Sequence, residues 1–315
     1  DRETGESLFP WKEVPVPQSK VPGEVTWPTQ PIPSKPAPFA RVRFTADEAT
    51  TRTPAAHEYV LNRLREFDPS TLYDPPSERG AILMPGTDGG AEWGGPAVDP
   101  KGVLYVNSSE MAYTFQLVPT ALFSGGVKSL YAQFCLSCHG ASMEGNPAAS
   151  IPSLVDIGTR MKEEDIVTML RSGKGVMPSF NFIPNPSKEA LARYIIAPEM
   201  ESAAPPRNDA APITAPQASS AYVITGYNRM FDPDGYPAIK PPWSTLSAID
   251  LNTGDYLWRR PFGDEPKPYA EGERPPGTET YGGPVVTASG VLFIAATSDE
   301  KFRAFSAATG DLLWE

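Results

Sequence analysis

The stretch GGPAVDPKGVLYV at residues 94–106 returns, without a gap, as GGPVVTASGVLFI at residues 282–294. In both copies a glycine pair and a proline open the stretch, and a later glycine precedes a run of large apolar residues. Short apolar runs bounded by glycine are typical of β-strands joined by tight turns. This repeat therefore predicts two copies of one strand–turn–strand unit, far apart in the chain.

A second repeat has a shorter spacing. AIDLNTGDYLW at residues 248–258 returns as AFSAATGDLLW at residues 304–314, again without a gap. A strand runs into a Thr-Gly turn and out to a tryptophan, and the fixed tryptophan argues against two unrelated hairpins. Repeated four-stranded units whose apolar faces cover one another are the signature of a β-propeller. We therefore expect a mainly β fold that forms three blades of a larger propeller.

The composition agrees with a fold rich in turns and argues against some functions. The 315 residues include 37 prolines and 26 glycines, which favour loops over long helices. The net charge of −11 argues against a nucleic-acid partner, because phosphate binding needs clustered Lys and Arg. No apolar stretch approaches the roughly 18 residues of a membrane span, and the first residues lack the layout of a signal peptide.

Both ends of the sequence resemble the interior of a repeat. DRETG at residues 1–5 matches DLNTG at residues 250–254, and Glu315 directly follows the repeat tryptophan Trp314. Such ends would leave unpaired strand edges, which complete proteins avoid. We therefore expect a fragment that is truncated at both ends.

The segment Cys135-Leu136-Ser137-Cys138-His139 holds the only two cysteines of the chain. This spacing is the attachment motif of a c-type haem, in which two thiols reach the porphyrin vinyl groups and the next residue places an imidazole under the iron. A thioredoxin-like pair would not need the adjacent histidine, and a structural zinc site would need four ligands. We predict a covalent haem c on Cys135 and Cys138, with His139 as an iron ligand.

Methionine thioether is a common second ligand of electron-transfer haems. Met177 lies in the loop GKGVMP, with glycines before it and a proline after it, and we predict that it is the second axial ligand. The other methionines after the motif suit this role less. Met143 is too close in sequence to His139 to cross the ring, and Met161 and Met169 fall in a predicted helix.

Several short helices are predicted from apolar periodicity. Residues 161–171 form one of them, and Ser187 is expected to cap a later one. The helix before the cysteine motif carries an apolar stripe made of Val127, Leu130, Tyr131 and Phe134. A further amphipathic helix is predicted after Thr53, and its His57 is expected either to have a structural role or to face solvent.

Residues 126–198 resemble a small class I cytochrome c. The resemblance is carried by the CLSCHG segment, the loop methionine in GVMPSF and the flanking helices. It implies that the carbonyl of Pro152 accepts a hydrogen bond from the free imidazole nitrogen of His139, with Pro147 as the alternative acceptor.

Outside this part the chain resembles the quinoprotein dehydrogenases that use pyrroloquinoline quinone, most closely their membrane-bound glucose dehydrogenase branch. The segments that carry the resemblance are DRETG (1–5), PVPQ (15–18), PTQPIP (28–33), GGAEWGGPAVD (89–99), VLYVN (103–107), SAIDLNTGDYLW (247–258) and GGPVVTASGVLFIAATSDEKFRAF (282–305). The resemblance implies an eight-bladed propeller with the quinone and a Ca²⁺ or Mg²⁺ ion near its axis.

This resemblance assigns three residues to the quinone pocket. Asn107 matches an asparagine beside the quinone, Trp93 lies in a segment that lines the pocket, and Asp299 matches an acid close to the cofactor. From the residues alone, the asparagine can also cap a turn and the tryptophan can also belong to the core. The family's catalytic aspartate and its quinone-contacting lysine are expected before residue 1.

The two resemblances together divide the chain and imply a function. Residues 1–122 and 221–315 are predicted propeller parts, residues 123–200 the cytochrome c domain, and residues 201–220 an Ala/Pro-rich linker. They imply a quinohaemoprotein that oxidises a sugar or alcohol at the quinone and passes the electrons to the haem. A soluble cytochrome or a membrane oxidase would accept them. Because c-type haems are attached in exported compartments, we expect a periplasmic or otherwise exported bacterial location, with which membrane attachment through a missing N-terminal segment is compatible.

Two other functions are compatible with parts of the sequence. A non-catalytic propeller scaffold that carries an electron-transfer cytochrome would lack the upstream catalytic residues. A propeller of the nitrite reductase type would need a second haem, and therefore more histidine ligands than His57 and His139 provide.

Overall fold

The structure is a computed structural model that describes most of the chain. The described residues are 1, 3–119, 126–146, 151–175, 177–181, 183–199, 221–225, 228–265, 277–295 and 297–315. The predicted linker at residues 201–220 lies outside them. The chain divides into two compact units, which we call the sheet unit (Asp1–Thr114 with Arg229–Glu315) and the helical unit (Phe115–Asn228).

The described residues contain more strands than helices, so the fold is mainly β as predicted. The strands are β1 (Trp11–Pro15), β2 (Thr29–Pro33), β3 (Ala81–Leu83), β4 (Ala97–Val98), β5 (Val103–Ser109), β6 (Tyr113–Phe115), β7 (Leu117–Pro119), β8 (Tyr222–Ile224), β9 (Asn228–Arg229), β10 (Ser244–Asp250), β11 (Asp255–Pro261), β12 (Val285–Val286), β13 (Val291–Ile294), β14 (Arg303–Ser306) and β15 (Leu312–Trp314). The α-helices are α1 (Pro54–Leu64), α2 (Gly126–Phe134), α3 (Leu136–His139), α4 (Glu163–Ser172) and α5 (Asn185–Ile196). None of these described helices is both long and apolar enough to cross a bilayer.

Two four-stranded antiparallel sheets of the sheet unit explain both sequence repeats. Their strand orders are β11-β10-β5-β4 and β12-β13-β14-β15. The first repeat supplies β4, β5, β12 and β13, and the second supplies β10, β11, β14 and β15. Each sheet therefore contains one copy of each repeat, and the first repeat has the longer spacing because the helical unit lies between β5 and β10 in the chain. The number of blades and the eight-bladed wheel remain predictions.

The two sheets bury apolar faces against each other. Val103 and Leu246 of the first sheet join Leu292 and Phe305 of the second in one buried cluster. The rings of Phe262 and Phe305 meet edge to face, with their centroids 6.2 Å apart. Burial of apolar surface is the main driving force of folding. Neither sheet could bury its apolar face alone, so each sheet stabilises the other by covering that face. This is the packing that the repeats predicted.

The repeat tryptophan of the first sheet docks onto the Thr-Gly turn of the second. Trp258 Nε1 donates a hydrogen bond to the carbonyl oxygen of Ala307 at 2.9 Å. Its ring lies on Gly310, where a Cβ would come within 2.7 Å of the ring carbons. Gly310 also has a φ of +70°, which favours glycine. The contact gives a physical reason for the repetition of both the turn and the tryptophan.

α1 begins where its capping signal predicts. The side chain of Thr53 accepts a hydrogen bond from the Ala56 backbone N–H at 3.1 Å. Val60, one turn after Ala56 on the same face of the helix, is fully buried in a second apolar cluster of the sheet unit. His57 Nδ1 lies 2.9 Å from the carbonyl oxygen of Thr50, which is the structural role predicted for it.

The helical unit has a single described core, to which α2, α4 and α5 all contribute. The apolar stripe predicted before the cysteine motif is confirmed, since Val127, Leu130 and Tyr131 of α2 are buried there. The prediction that Ser187 caps the last helix is wrong. α5 begins two residues earlier and Ser187 is buried inside its first turn. Pro186 is tolerated in that turn because the first backbone N–H groups of a helix have no intrahelical acceptor.

Two further strand pairings involve residues 113–119 and 222–229. β6 and β9 are neighbours in the three-stranded sheet β3-β6-β9. Farther along, β7 pairs antiparallel with β8, with Leu117 opposite Ile224 and Pro119 opposite Tyr222. Outgoing and returning segments that are far apart in sequence are therefore joined by backbone hydrogen bonds.

Candidate functional site

The cysteine motif folds into one helical turn directly after α2. The backbone N–H of Cys135 donates to the Tyr131 carbonyl at 2.8 Å, and that of His139 donates to the Cys135 carbonyl at 2.8 Å. Cys135 is buried, whereas Cys138 is exposed. Burial raises the pKa of the Cys135 thiol to about 12, with a smaller contribution from Cys138. Because the turn is continuous with the helix, both sulfur atoms and the imidazole are presented by one rigid element.

The imidazole of His139 is oriented by a backbone carbonyl. His139 Nδ1 lies 3.0 Å from the Pro152 oxygen, the contact that the cytochrome resemblance implied. The alternative acceptor, Pro147, lies outside the described residues. Burial lowers the pKa of His139, so the ring is neutral near pH 7, and the carbonyl fixes the proton on Nδ1. Nε2 then keeps a lone pair for a metal ion.

A glycine supports the carbonyl that His139 contacts. A Cβ on Gly145 would lie 2.6 Å from the Pro152 carbonyl oxygen, and Gly145 has a φ of +71°. The backbone N–H of Gly145 donates to the His139 carbonyl at 2.9 Å. Glycine is therefore needed here both for its backbone conformation and for the close approach of Pro152.

Met177 lies in a tight loop of the same unit. Its backbone exchanges two hydrogen bonds with Lys174, each 3.0 Å long. Met177 packs against the apolar cluster that contains Cys135 and Leu136. Two thiols, a neutral imidazole and a thioether in one small unit are the donor set of a c-type haem, so the residues present fit this cofactor. Their assignment as haem ligands remains a prediction.

In the sheet unit, Asn107 is held by the loop that precedes β12. It is almost fully buried, and its amide nitrogen donates to Thr280 Oγ1 at 2.8 Å and to the Gly282 carbonyl at 2.7 Å. Asn107 lies inside β5 and bonds across to the neighbouring sheet. The alternative that it caps a local turn is therefore wrong.

Trp93 lies beside a backbone contact between the glycine pairs that precede β4 and β12. A Cβ on Gly94 would lie 2.5 Å from the Gly283 nitrogen, so the two glycine pairs of the repeat are in backbone contact. The Trp93 side chain itself is 89% exposed. The alternative that Trp93 belongs to the core is therefore wrong.

Asp299 is part of a buried ion pair. Its carboxylate accepts hydrogen bonds from Arg303, from the Thr297 hydroxyl and from the Asp264 backbone N–H, the last at 2.7 Å. Burial works to raise the pKa of Asp299, but these hydrogen bonds outweigh it and hold the pKa well below its usual range. Thr297 also pairs with Thr280 through a backbone bridge.

One loop thus connects all three residues that the resemblance assigns to the quinone pocket. In this loop, Thr280 and Gly282 accept hydrogen bonds from Asn107, and Gly283 contacts Gly94, the residue after Trp93. Thr280 also forms a backbone bridge with Thr297, whose hydroxyl donates to Asp299. The structure does not place the three side chains in direct contact with one another. Within the described ranges, no group of three or more His, Cys, Asp or Glu side chains is arranged to hold a metal ion, so the divalent ion stays a prediction.

Sequence reasoning missed a polar network around Arg229. Its guanidinium donates to Tyr113 at 2.8 Å and to Asp88 at 3.1 Å, and it pairs with Glu279 at 3.1 Å. The hydroxyl groups of Tyr113 and Tyr281 also donate to Asp88. Arg229 and Tyr113 are 116 positions apart. No periodicity or local spacing signals such a contact.

The two carboxylates of this network, Asp88 and Glu279, have pKa values shifted in opposite directions. Burial works to raise the pKa of Asp88, but hydrogen bonds from Tyr113, Arg229 and Tyr281 outweigh it and lower the pKa. Burial raises the pKa of Glu279, and the nearby Arg229 offsets this only in part. Asp88 is therefore an ionised anchor of the network.

Comparisons with known proteins support both parts of the chain. Residues 1–142 and 182–315 match the family described as glucose/ethanol/alcohol dehydrogenase, beta-propeller domain. Residues 126–195 match the family described as cytochrome C oxidase, cbb3-type, subunit III.

Individual relatives agree with the family matches. The quinoprotein glucose dehydrogenase of Escherichia coli (strain K12) is 26% identical over 327 residues, covering 100% of this chain and 31% of the relative. The probable quinate dehydrogenase (quinone) of Xanthomonas campestris pv. juglandis is 25% identical over 323 residues, with the same coverage. The menaquinol:cytochrome c reductase cytochrome c subunit of Bacillus subtilis (strain 168) is 41% identical over 71 residues, which are 22% of this chain and 26% of the relative.

The chain spans about a third of the length of the full-coverage relatives. The match to the dehydrogenase propeller family nevertheless extends over most of its residues, and it includes both four-stranded sheets. The chain belongs to the glucose/ethanol/alcohol dehydrogenase β-propeller family, and it also carries a cytochrome c domain.

Proposed function

We propose that this chain is part of a quinohaemoprotein that oxidises a sugar or alcohol with pyrroloquinoline quinone and passes the electrons to a covalently bound c-type haem. One observation carries the proposal: a single chain combines blade-type sheets of the quinoprotein family with a CLSCH turn whose imidazole is already oriented by Pro152. Relatives over the full chain are named quinoprotein glucose dehydrogenase and quinate dehydrogenase (quinone).

At the haem, the roles follow from the donor atoms. Cys135 and Cys138 would hold the haem through thioether links, and His139 and Met177 would provide a nitrogen and a sulfur ligand to its iron. The haem supplies reversible one-electron transfer. The hydrogen bond between His139 Nδ1 and the Pro152 carbonyl oxygen restricts the imidazole to one orientation, which would lower the cost of reorganisation when it binds iron.

We assign Asn107, Trp93 and Asp299 to the lining of the quinone pocket. Asn107 contributes an amide that is fixed by Thr280 and Gly282, and Trp93 contributes an exposed aromatic face. Asp299 orients Arg303 through their ion pair. The quinone, with Ca²⁺ or Mg²⁺, supplies two-electron oxidation of the substrate.

The electrons then leave to a soluble cytochrome or a membrane oxidase. The attachment chemistry of haem c supports an exported, periplasmic location. Membrane attachment through an upstream segment is part of the same proposal.

The test is a stopped-flow experiment on the complete gene product, reconstituted with the quinone and Ca²⁺. Glucose, quinate and a primary alcohol are mixed with the oxidised protein, and quinone and haem absorbance are followed together. We expect quinone reduction first and haem reduction afterwards. The Cys135→Ala/Cys138→Ala variant is the control, because it should reduce the quinone without any haem signal. Quinone reduction that never reaches the haem would overturn the relay. A protein that binds no quinone would be a scaffold.

A further inference from the structure

Asn107 is oriented by residues 279–282, which we call the 279–282 loop. Its amide nitrogen Nδ2 donates to Thr280 Oγ1 at 2.8 Å and to the Gly282 carbonyl oxygen at 2.7 Å. A backbone carbonyl can only accept a hydrogen bond, so the atom beside Gly282 is the nitrogen of the amide and not its oxygen. The position of the Gly282 carbonyl therefore decides which way the Asn107 amide faces.

The other two residues of this loop are held by Arg229. Glu279 Oε2 lies 3.1 Å from Arg229 Nη1, and Arg229 Nη2 donates to the Tyr281 hydroxyl oxygen. Thr280 between them forms an antiparallel backbone bridge with Thr297. Neighbouring side chains of extended backbone point to opposite sides, which separates Glu279 and Tyr281 from Thr280. Arg229 therefore contacts the loop on the side opposite to the amide.

Arg229 is itself fixed by residues outside the loop. Its Nε donates to the Tyr113 hydroxyl oxygen at 2.8 Å, and its Nη2 donates to the Asp88 carboxylate at 3.1 Å. The Tyr113 ring lies against Gly86, where a Cβ would come within 1.8 Å of a ring carbon. A guanidinium is planar and presents its N–H groups in a rigid fork. These contacts therefore fix the direction in which Arg229 meets the 279–282 loop.

Arg229 also separates two carboxylates. Among the residues that the structure describes, it is the only cation that forms an ion pair with Asp88 or Glu279. Burial raises the pKa of Glu279, Arg229 opposes this, and the charge of Asp88 adds to it. The Tyr281 hydroxyl lies 2.9 Å from Asp88 and 3.3 Å from Glu279. Without the guanidinium, two like charges would meet across this hydroxyl, and their repulsion would displace the 279–282 loop.

We propose that Arg229 is a positioning residue that fixes the amide orientation of Asn107 through the 279–282 loop. It holds Glu279 and Tyr281, and the loop then keeps the Gly282 carbonyl oxygen beside Nδ2. Arg229 acts through the loop and does not need to touch the quinone. This inference rests on the proposed function, because that function assigns Asn107 to the quinone pocket. Loss of one or two hydrogen bonds corresponds to a fall in quinone affinity of about 5- to 30-fold.

A first measurement needs no quinone. NMR spectra of the full chain resolve side-chain amide protons, and Asn107→Asp identifies those of Asn107 because it removes them. Their exchange with solvent should be about 10-fold faster in Arg229→Gln, since both hydrogen bonds of Nδ2 depend on the loop. Arg229→Lys keeps the charge without the fork and should lie between the wild type and Arg229→Gln.

Two tyrosine variants form a matched pair for the same measurement. Tyr281→Phe removes one hydroxyl and keeps the ion pair between Arg229 and Glu279, so it should accelerate the exchange less and serves where Arg229→Gln does not fold. Tyr256→Phe is the control, because the Tyr256 hydroxyl donates to the Ala37 carbonyl outside this network. It should match the wild type. Exchange that is unchanged in the Arg229 and Tyr281 variants would overturn the inference.

A second measurement tests the consequence for the pocket. Pyrroloquinoline quinone is titrated with Ca²⁺ into the complete gene product, and binding is followed by tryptophan fluorescence. Arg229→Gln should raise the Kd by about 5- to 30-fold in otherwise wild-type protein, but by no more than about 2-fold in an Asn107→Ala background. Equal losses in both backgrounds would overturn the inference, since Arg229 would then act independently of Asn107. A wild-type protein that binds no quinone would contradict the proposed function instead, and the exchange rates alone would then decide the role of Arg229.

Discussion

Replacing Gly94 by alanine is expected to push apart the two loops that precede β4 and β12, and with them the two sheets. A Cβ on Gly94 would lie 2.5 Å from the Gly283 nitrogen and 2.8 Å from the Gly282 carbonyl carbon, whereas ordinary Cβ contacts begin at 3.4 Å. The obstructing atoms belong to backbone and cannot rotate away. Gly94 has no positive φ, so its replacement acts through sterics alone.

The adjacent glycine is a matched control for the magnitude. Overpacking costs about 1–3 kcal/mol, and we expect about 3 kcal/mol because the strands of both sheets must move. Gly95 has a φ of +69° and no atom within 4 Å of its Cβ. Gly95→Ala therefore carries only the cost of a left-handed alanine, about 1 kcal/mol. In a unit of this size these free energies correspond to falls in Tm of about 6–12 °C and about 2–4 °C.

Tryptophan fluorescence measures this effect selectively, because all six tryptophans of the chain lie in the sheet unit. Thermal and urea unfolding of both variants would be followed at this signal. Haem absorbance reports the helical unit and should shift little. If Gly94→Ala is no more destabilised than Gly95→Ala, the backbone contact between the two glycine pairs does not exist in solution, and the pairing of the sheets is wrong.

Three further predictions concern the candidate sites. Met177→Leu removes the thioether at similar volume, so the haem potential should fall in a redox titration, and an unchanged potential would exclude this ligand. Gly145→Ala displaces the Pro152 carbonyl, which weakens the hydrogen bond that raises the basicity of the ligating imidazole, so the potential should rise. Asp299→Asn removes the most buried of the three carboxylates that pair with Arg303, while Asp264 at 3.1 Å and Glu315 at 3.4 Å remain, and it should cost about 1–3 kcal/mol at neutral pH. Because the folded-state pKa of Asp299 is lowered, the wild-type advantage should be complete above the unfolded pKa of about 3.9 and disappear as the pH falls towards the folded pKa. Urea unfolding at several pH values tests this, and a difference independent of pH would contradict it.

The sequence by itself determined the features that depend on local spacing. The CLSCH motif, the Thr53 cap of α1 and the strand–turn–strand repeats are each contained within a dozen residues. Helix and strand periodicity, capping and turn chemistry act over that distance, so they can be recognised without knowing the fold. The placement of the last helix failed at this level because Ser187 is a good cap, but the tolerance of proline in a first turn let α5 begin earlier.

Only the tertiary structure decided which surfaces meet. It showed that both repeats contribute to each sheet, with the helical unit lying between β5 and β10 in the chain, and that Trp93 is exposed. It also brought together the Arg229 network and joined it to the loop that holds Asn107. These contacts join residues far apart in the chain, such as Asp88 and Arg229 at 141 positions, and such pairings are set by the fit of whole buried faces. No local pattern encodes that fit, so the arrangement of the candidate site emerged only from the folded chain.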